Sequence, residues 1–192
     1  MNKRLFIVHG WMDAYEDQWF PWLKERAEAL GFAVTIPRLP GIANPKVAAW
    51  VLTLSMAVGT ADEDTYFVGH SMGAQTILRY LASLPDDDKV GGAVFVAGWI
   101  KVSGLKTDEE RATAKQWEET AINYRDIRKH LTRSVAIFSD NDPFVPKENH
   151  DIFRTEIGST VILEHAKGHF TTEDGVKEVP SIVKALEGMG QI

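Results

Sequence analysis

Short apolar runs separated by amphipathic stretches set the pattern of this chain. Leu5 to Val8 is a continuous apolar run that stops at His9-Gly10. A run of that length without polar alternation predicts a strand buried on both faces. From about Asp17 to Leu30 apolar residues recur at helical spacing, and Gly31 follows where helices commonly end. Phe32 to Ile36 reads as a second strand. Asn44-Pro45 has the form of an N-cap with proline at the first helical position, which predicts a helix through about Val58. Thr65 to Val68 is a third strand, followed by a helix from Met72 to Leu84. Ala93 to Ala97, Val135 to Phe138 and Val161 to Leu163 supply the fourth, fifth and sixth strands. A helix begins after Pro146 and ends near Gly158, and a last one is expected from about Thr172 to Leu186, its pattern weakened by Gly175 and Pro180.

Strands alternating with helices in this way imply an α/β fold, a mostly parallel sheet of about six strands with helices on both faces. The 192 residues suit a single domain spanning 1–192, with a short cap-like insertion at about 101–133 between the fourth and fifth strands. Such sheets bind ligands beyond the carboxyl ends of their strands. The loops after Val8, Val68, Phe138 and Leu163 are therefore where chemistry is expected.

The third strand runs into Gly69-His70-Ser71-Met72-Gly73 and then a helix. This is G-x-S-x-G in the strand–turn–helix setting that makes a nucleophile elbow, and it marks Ser71 as a nucleophile. Serine needs a base, and the base needs an orienting acid; in this setting the chain order is serine, acid, histidine. Asp142, in the loop Ser139-Asp140-Asn141-Asp142-Pro143 after the fifth strand, is the acid; Asp140 is its rival and can instead cap or brace the loop. His169, in Lys167-Gly168-His169-Phe170 after the sixth strand, is the base. His165 reads as structural, His130 and His150 as surface, and His70 as packed or hydrogen-bonded behind the serine. The oxyanion of a tetrahedral intermediate would be met by the backbone N–H of Met72 and by that of Trp11 in the glycine-containing loop after the first strand. Trp117, inside the insertion, either lines the substrate site or packs the insertion onto the body. Trp19, Trp22 and Trp50 have core-like spacing.

Composition narrows the function classes. The chain has no cysteine, which excludes disulfides, thiolate metal sites and a cysteine nucleophile. The net charge of −6, with no basic stripe, argues against nucleic acid as a partner. No apolar run approaches the roughly 18 residues of a membrane helix, and the N-terminal run is too short for a signal-peptide core. A cytoplasmic location is expected, with a small-molecule ester or acyl substrate, no membrane partner, and no metal or other cofactor.

With these residues placed, the chain resembles the small serine hydrolases of the retinoblastoma-binding protein 9 and YdeN-like type, a branch of the α/β-hydrolases. The resemblance rests on Phe6-Ile7-Val8-His9-Gly10, Trp19-Phe20-Pro21-Trp22-Leu23, Pro37-Arg38-Leu39-Pro40, the elbow at Ser71, the Asp142 loop and Gly168-His169-Phe170. It implies a reduced α/β-hydrolase fold and a triad of Ser71, Asp142 and His169. The retinoblastoma partner does not carry over, because its Leu-x-Cys-x-Glu element needs a cysteine. The expected activity is cleavage of small carboxylic esters through an acyl-enzyme. Thioesterase or amidase activity uses the same chemistry, and a slow-turnover ligand-binding or protein-interaction module on the same fold is the alternative from another class.

Overall fold

The structure, a computed structural model, describes residues 3–13 and 18–190. Six strands form one sheet: β1 (Arg4–Val8), β2 (Ala33–Thr35), β3 (Thr65–His70), β4 (Gly92–Val96), β5 (Ser134–Ser139) and β6 (Thr160–Glu164). They lie in the order β2-β1-β3-β4-β5-β6, and each neighbouring pair is parallel. The helices are α1 (Phe20–Ala29), α2 (Val47–Val58), α3 (Met72–Leu81), α4 (Asp108–Glu119), α5 (Tyr124–His130), α6 (Glu148–Ile152), which runs on as a π-helix over Phe153–Ile157, and α7 (Pro180–Gly190). No helix among the described residues is long and apolar enough to cross a membrane.

The chain goes from β1 outward to β2, then back past β1 to β3 and on in one direction. Right-handed crossovers then set α1 and α2 on opposite faces. A crevice opens where the direction switches, between the carboxyl ends of β1 and β3. The six residues of β3 and the five of β4 are all buried, as the apolar runs Tyr66–Val68 and Ala93–Val96 within them require. So is every residue of α3, which packs against β3, α2 and α5. The edge strand β6 is only half covered, and Leu163 is exposed.

Several boundaries differ from the sequence expectation. The first helix begins at Phe20; Asp17, its expected start, lies outside the described residues. The second begins at Val47, because Lys46 is extended at φ −108°, ψ 127° and the Pro45 carbonyl accepts a hydrogen bond from the Trp117 indole at 3.2 Å. The third ends at Leu81 and unwinds in a turn through Leu84. The last helix covers only Pro180–Gly190: Gly175, at φ +78°, sits in a turn, and the stretch before Pro180 is a loop that buries Val176 and Val179. The insertion folds as α4 and α5. Its α4 opens on a capping box in which Thr107 accepts from the Glu110 N–H and Glu110 accepts from the Thr107 N–H. His130, read as a surface residue, is buried with Nδ1 bonded to the Asp88 carbonyl at 2.8 Å. His150 is half-buried and stacks on Phe138.

Candidate active site

Ser71 sits between β3 and α3 with φ +50° and ψ −117°, a conformation that L-residues rarely adopt. The flanking glycines make this turn possible. A Cβ on Gly69 would lie 2.6 Å from Ile77 Cδ1 and 2.8 Å from the Ala74 nitrogen. One on Gly73 would lie 2.2 Å from the Val8 carbonyl oxygen. The Ser71 N–H donates to the Val96 carbonyl at 2.9 Å, which ties the turn to β4. The side chain stands at the N-terminus of α3, where the Met72 N–H is one of the first-turn groups with no acceptor in the helix and the helix field favours negative charge.

The loops after β5 and β6 are laced together residue by residue. Asp140 accepts from His165 Nδ1 at 2.6 Å and from the Ala166 N–H at 2.9 Å. The Lys167 N–H donates to Ser139 Oγ, and the Gly168 N–H to Asn141 Oδ1 at 2.8 Å. At the inner end of this lacing, His169 Nδ1 lies 2.8 Å from Asp142 Oδ2. Asp142 Oδ1 accepts from the N–H groups of Phe144 and Val145, so the carboxylate cannot rotate. His169 Nε2 lies 2.9 Å from Ser71 Oγ. Ser71, His169 and Asp142 thus form one unbroken chain of hydrogen bonds, with the Asp142 side chain 2% exposed and that of His169 13%. Asp140, the rival acid, belongs to the exposed outer end with His165.

Two further groups stand behind this chain. Asp13 is buried, and accepts from the Gly10 N–H, Gln18 Nε2 and His70 Nδ1, each at 3.0 Å. The other ring nitrogen, His70 Nε2, lies 2.8 Å from the His169 carbonyl oxygen. Both His70 nitrogens face acceptors, an arrangement that only the doubly protonated ring satisfies by donating twice. Burial works against that charged ring, but the hydrogen bond and charge of Asp13 outweigh it and raise the His70 pKa above the ordinary histidine value. Burial likewise works against the Asp13 carboxylate, and the His70 contact prevails, lowering its pKa. This pair joins the loop after β1 to the backbone of His169. The sequence placed His70 behind the serine; Asp13 carried no local signal, since its partner is 57 positions away.

A cavity of about 400 Å³ opens over Ser71. Trp11, Met12, Met72, Trp99, Leu105 and Phe144 form much of its wall, and Glu109 and Glu110 on the first turn of α4 also reach it. Trp99 Nε1 lies 3.3 Å from Ser71 Oγ. Trp11 and Met72, the two residues expected to supply backbone donors, both border the space in front of the serine. Trp117 does not line this cavity, and the substrate-binding expectation for it is corrected. It is fully buried, with its ring edge against Trp50 at 5.5 Å and the Arg79 guanidinium 5.6 Å from its centroid, and it packs α4 onto the body. Trp19 and Trp50 are fully buried as expected, and Trp22 is half-buried.

The sequence model of the serine hydrolase family matches residues 5–188. The chain is 29% identical over 186 residues to YdeN of Bacillus subtilis, covering 97% of this chain and 95% of that protein. It is 23% identical over 184 residues to the serine hydrolase RBBP9 of Rattus norvegicus, covering 93% and 91%. The crystal structure of the ydeN gene product from B. subtilis matches with a TM-score of 0.88 at 27% identity over 98% of each chain. Est1E from Butyrivibrio proteoclasticus shares the fold, with a TM-score of 0.69 at 15% identity over 97% of this chain and 89% of its own.

Proposed function

The chain belongs to the serine hydrolase family, and we propose that it cleaves small carboxylic esters through an acyl-enzyme, with Ser71 as nucleophile, His169 as base and Asp142 as orienting acid. The observation that carries this reading is the unbroken hydrogen-bond chain from a strained serine to a buried carboxylate, at the floor of an apolar cavity. His169 Nε2 takes the Ser71 proton as Oγ attacks the ester carbonyl. Asp142 holds the Nδ1–H tautomer and stabilises the imidazolium. The N–H groups of Met72 and Trp11 receive the oxyanion. The imidazolium then protonates the leaving alkoxide, and water, deprotonated by His169, releases the acid.

The cavity wall supports an uncharged acyl group. It is mostly apolar, and two acidic residues, Glu109 and Glu110, border it, the Glu110 carboxylate accepting from the Lys106 and Thr107 N–H groups. A like-charge pair at 4 Å costs about 1 kcal/mol even in bulk water, about fivefold in rate. The p-nitrophenyl hemisuccinate ester is therefore expected to show a kcat/KM at least about fivefold below that of the butyrate ester. Glu109→Gln should narrow the gap. Equal rates in the wild type would place the acyl group outside this cavity.

The deciding experiment is fluorophosphonate labelling with peptide mapping, alongside p-nitrophenyl acetate and butyrate turnover. An adduct on Ser71 together with turnover is the expected result. A folded protein that neither labels nor turns over would exclude acyl-enzyme chemistry.

A further inference from the structure

Among the described residues, five of the six tryptophans make indole hydrogen bonds, and that of Trp99 differs from the other four. The indoles of Trp11, Trp19, Trp50 and Trp117 all donate to backbone carbonyls, those of Ala43, Phe170, Pro40 and Pro45. The bonds of Trp19, Trp50 and Trp117 satisfy buried or part-buried N–H groups and fix packing. The Trp99 indole instead donates to Ser71 Oγ. Its N–H is donor only, so the direction of this bond is fixed. Ser71 Oγ gives its own proton toward His169 Nε2, accepts from Trp99 on one lone pair, and keeps the other for a carbonyl carbon.

The loop that presents Trp99 is held more tightly than a wall would require. Ala97 takes φ +47° at the end of β4. A Cβ on Gly98 would lie 2.7 Å from Phe153 Cζ and 3.0 Å from Ala74 Cβ, so the loop is pressed onto α3 and the π-helical segment. Asn149, fully buried, then takes up the backbone beyond it. Its Oδ1 accepts from the Ile100 and Lys101 N–H groups at 2.7 and 3.0 Å, and its Nδ2 donates to the Lys101 and Pro146 carbonyls. The donor is thus preorganised before any substrate arrives, the condition under which a hydrogen bond lowers a barrier.

We propose that the Trp99 indole N–H is a catalytic donor to Ser71 Oγ, acting chiefly in deacylation; this rests on the acyl-enzyme reading above. In that step a hydroxide, formed as His169 takes a proton from water, adds to the acyl carbon. The C–Oγ bond then breaks, its electron pair stays on Oγ, and the proton on His169 Nε2 moves to that oxygen. Negative charge develops on Oγ before the proton arrives, and the Trp99 N–H is aimed at it. The oxyanion donors face a different atom, the former carbonyl oxygen, and do not replace this contact.

The test is stopped-flow hydrolysis of p-nitrophenyl butyrate by the wild type, by Trp99→Phe, and by a protein carrying benzothienylalanine at position 99. The last keeps the bicyclic shape, with sulfur in place of the N–H, and guards against a folding defect in the phenylalanine variant. The expected result is a burst rate little changed and a steady-state kcat lower by about tenfold, roughly the worth of one hydrogen bond. KM should fall in step with kcat, as it does when deacylation becomes limiting. An unchanged kcat with benzothienylalanine, or a raised KM with burst and steady state slowed alike, would reduce Trp99 to a wall residue while leaving the ester reading intact. A wild type that releases no p-nitrophenolate and does not label at Ser71 would overturn both.

Discussion

Asp142→Asn is expected to fold as the wild type does and to lose about 10⁴ in kcat, the size of the loss when the acid of a serine-protease triad is changed in the same way. The reason lies in how the carboxylate is held. Its Oδ1 is committed to the N–H groups of Phe144 and Val145, which only an oxygen can accept. The amide of an asparagine would keep its oxygen there and turn its NH₂ toward His169 Nδ1. That nitrogen would then have to accept, and the ring proton would move to Nε2, where it faces Ser71 and prevents proton transfer. Butyrate-ester kinetics and a thermal melt on the same preparation check the two halves of the claim. Asp140→Asn serves as the contrast: its carboxylate braces the exposed ends of two loops, and little of kcat should depend on it. Near-normal activity in Asp142→Asn would refute the assignment of the acid.

The largest effect on stability is expected from Asp13→Asn. Removing one partner of a buried ion pair typically costs about 3–5 kcal/mol, because the other is left charged or forced neutral away from water. The loss should depend on pH with a definite sign. Asp13 has a folded pKa below its ordinary value, so its contribution is present above that ordinary value and is lost as pH falls through the folded pKa. His70 has a raised folded pKa, so its contribution is full below the ordinary histidine value and is lost as pH rises through the raised one. The stability gap between wild type and variant should therefore be widest between about pH 4 and pH 6.5 and narrow on either side. Urea melts of both proteins across a pH series measure it. A gap independent of pH would mean that the pair is not ionic. Because Asp13 also holds the Gly10 N–H and His70 holds the His169 carbonyl, the variant should lose activity as well as stability.

The sequence made the strands, their parallel arrangement and the family resemblance legible, because those features depend on local runs and on residues with few substitutes. An elbow needs glycine where a Cβ would strike Val8 or Ala74, and that need is written in the chain as G-x-S-x-G. The start of α2 was not legible, since Pro45 is drawn out of the helix by an indole 72 positions further on. The segment before α7 has helical composition, but Asp174 accepts from the N–H groups of His169 and Thr171 and so belongs to the loop that carries the histidine. Asp13 and Asn149 owe their places to partners 57 and 49 positions away, and nothing in their neighbours marks them. For Trp117, core packing and pocket lining use the same residue type, and only its depth separates them.

One contact away from the cavity joins two of the helices that border it. Arg79, two turns along the helix that begins at Ser71, donates to the carbonyls of Trp117 and Thr120 at 2.6 and 2.7 Å and so grips the last turn of α4. The first turn of that same α4 borders the cavity that opens over Ser71. Arg79 therefore ties the helix behind Ser71 to the helix that forms part of the cavity wall. On the proposed ester reading, the spacing between these two helices sets the bulk of the acyl group that fits.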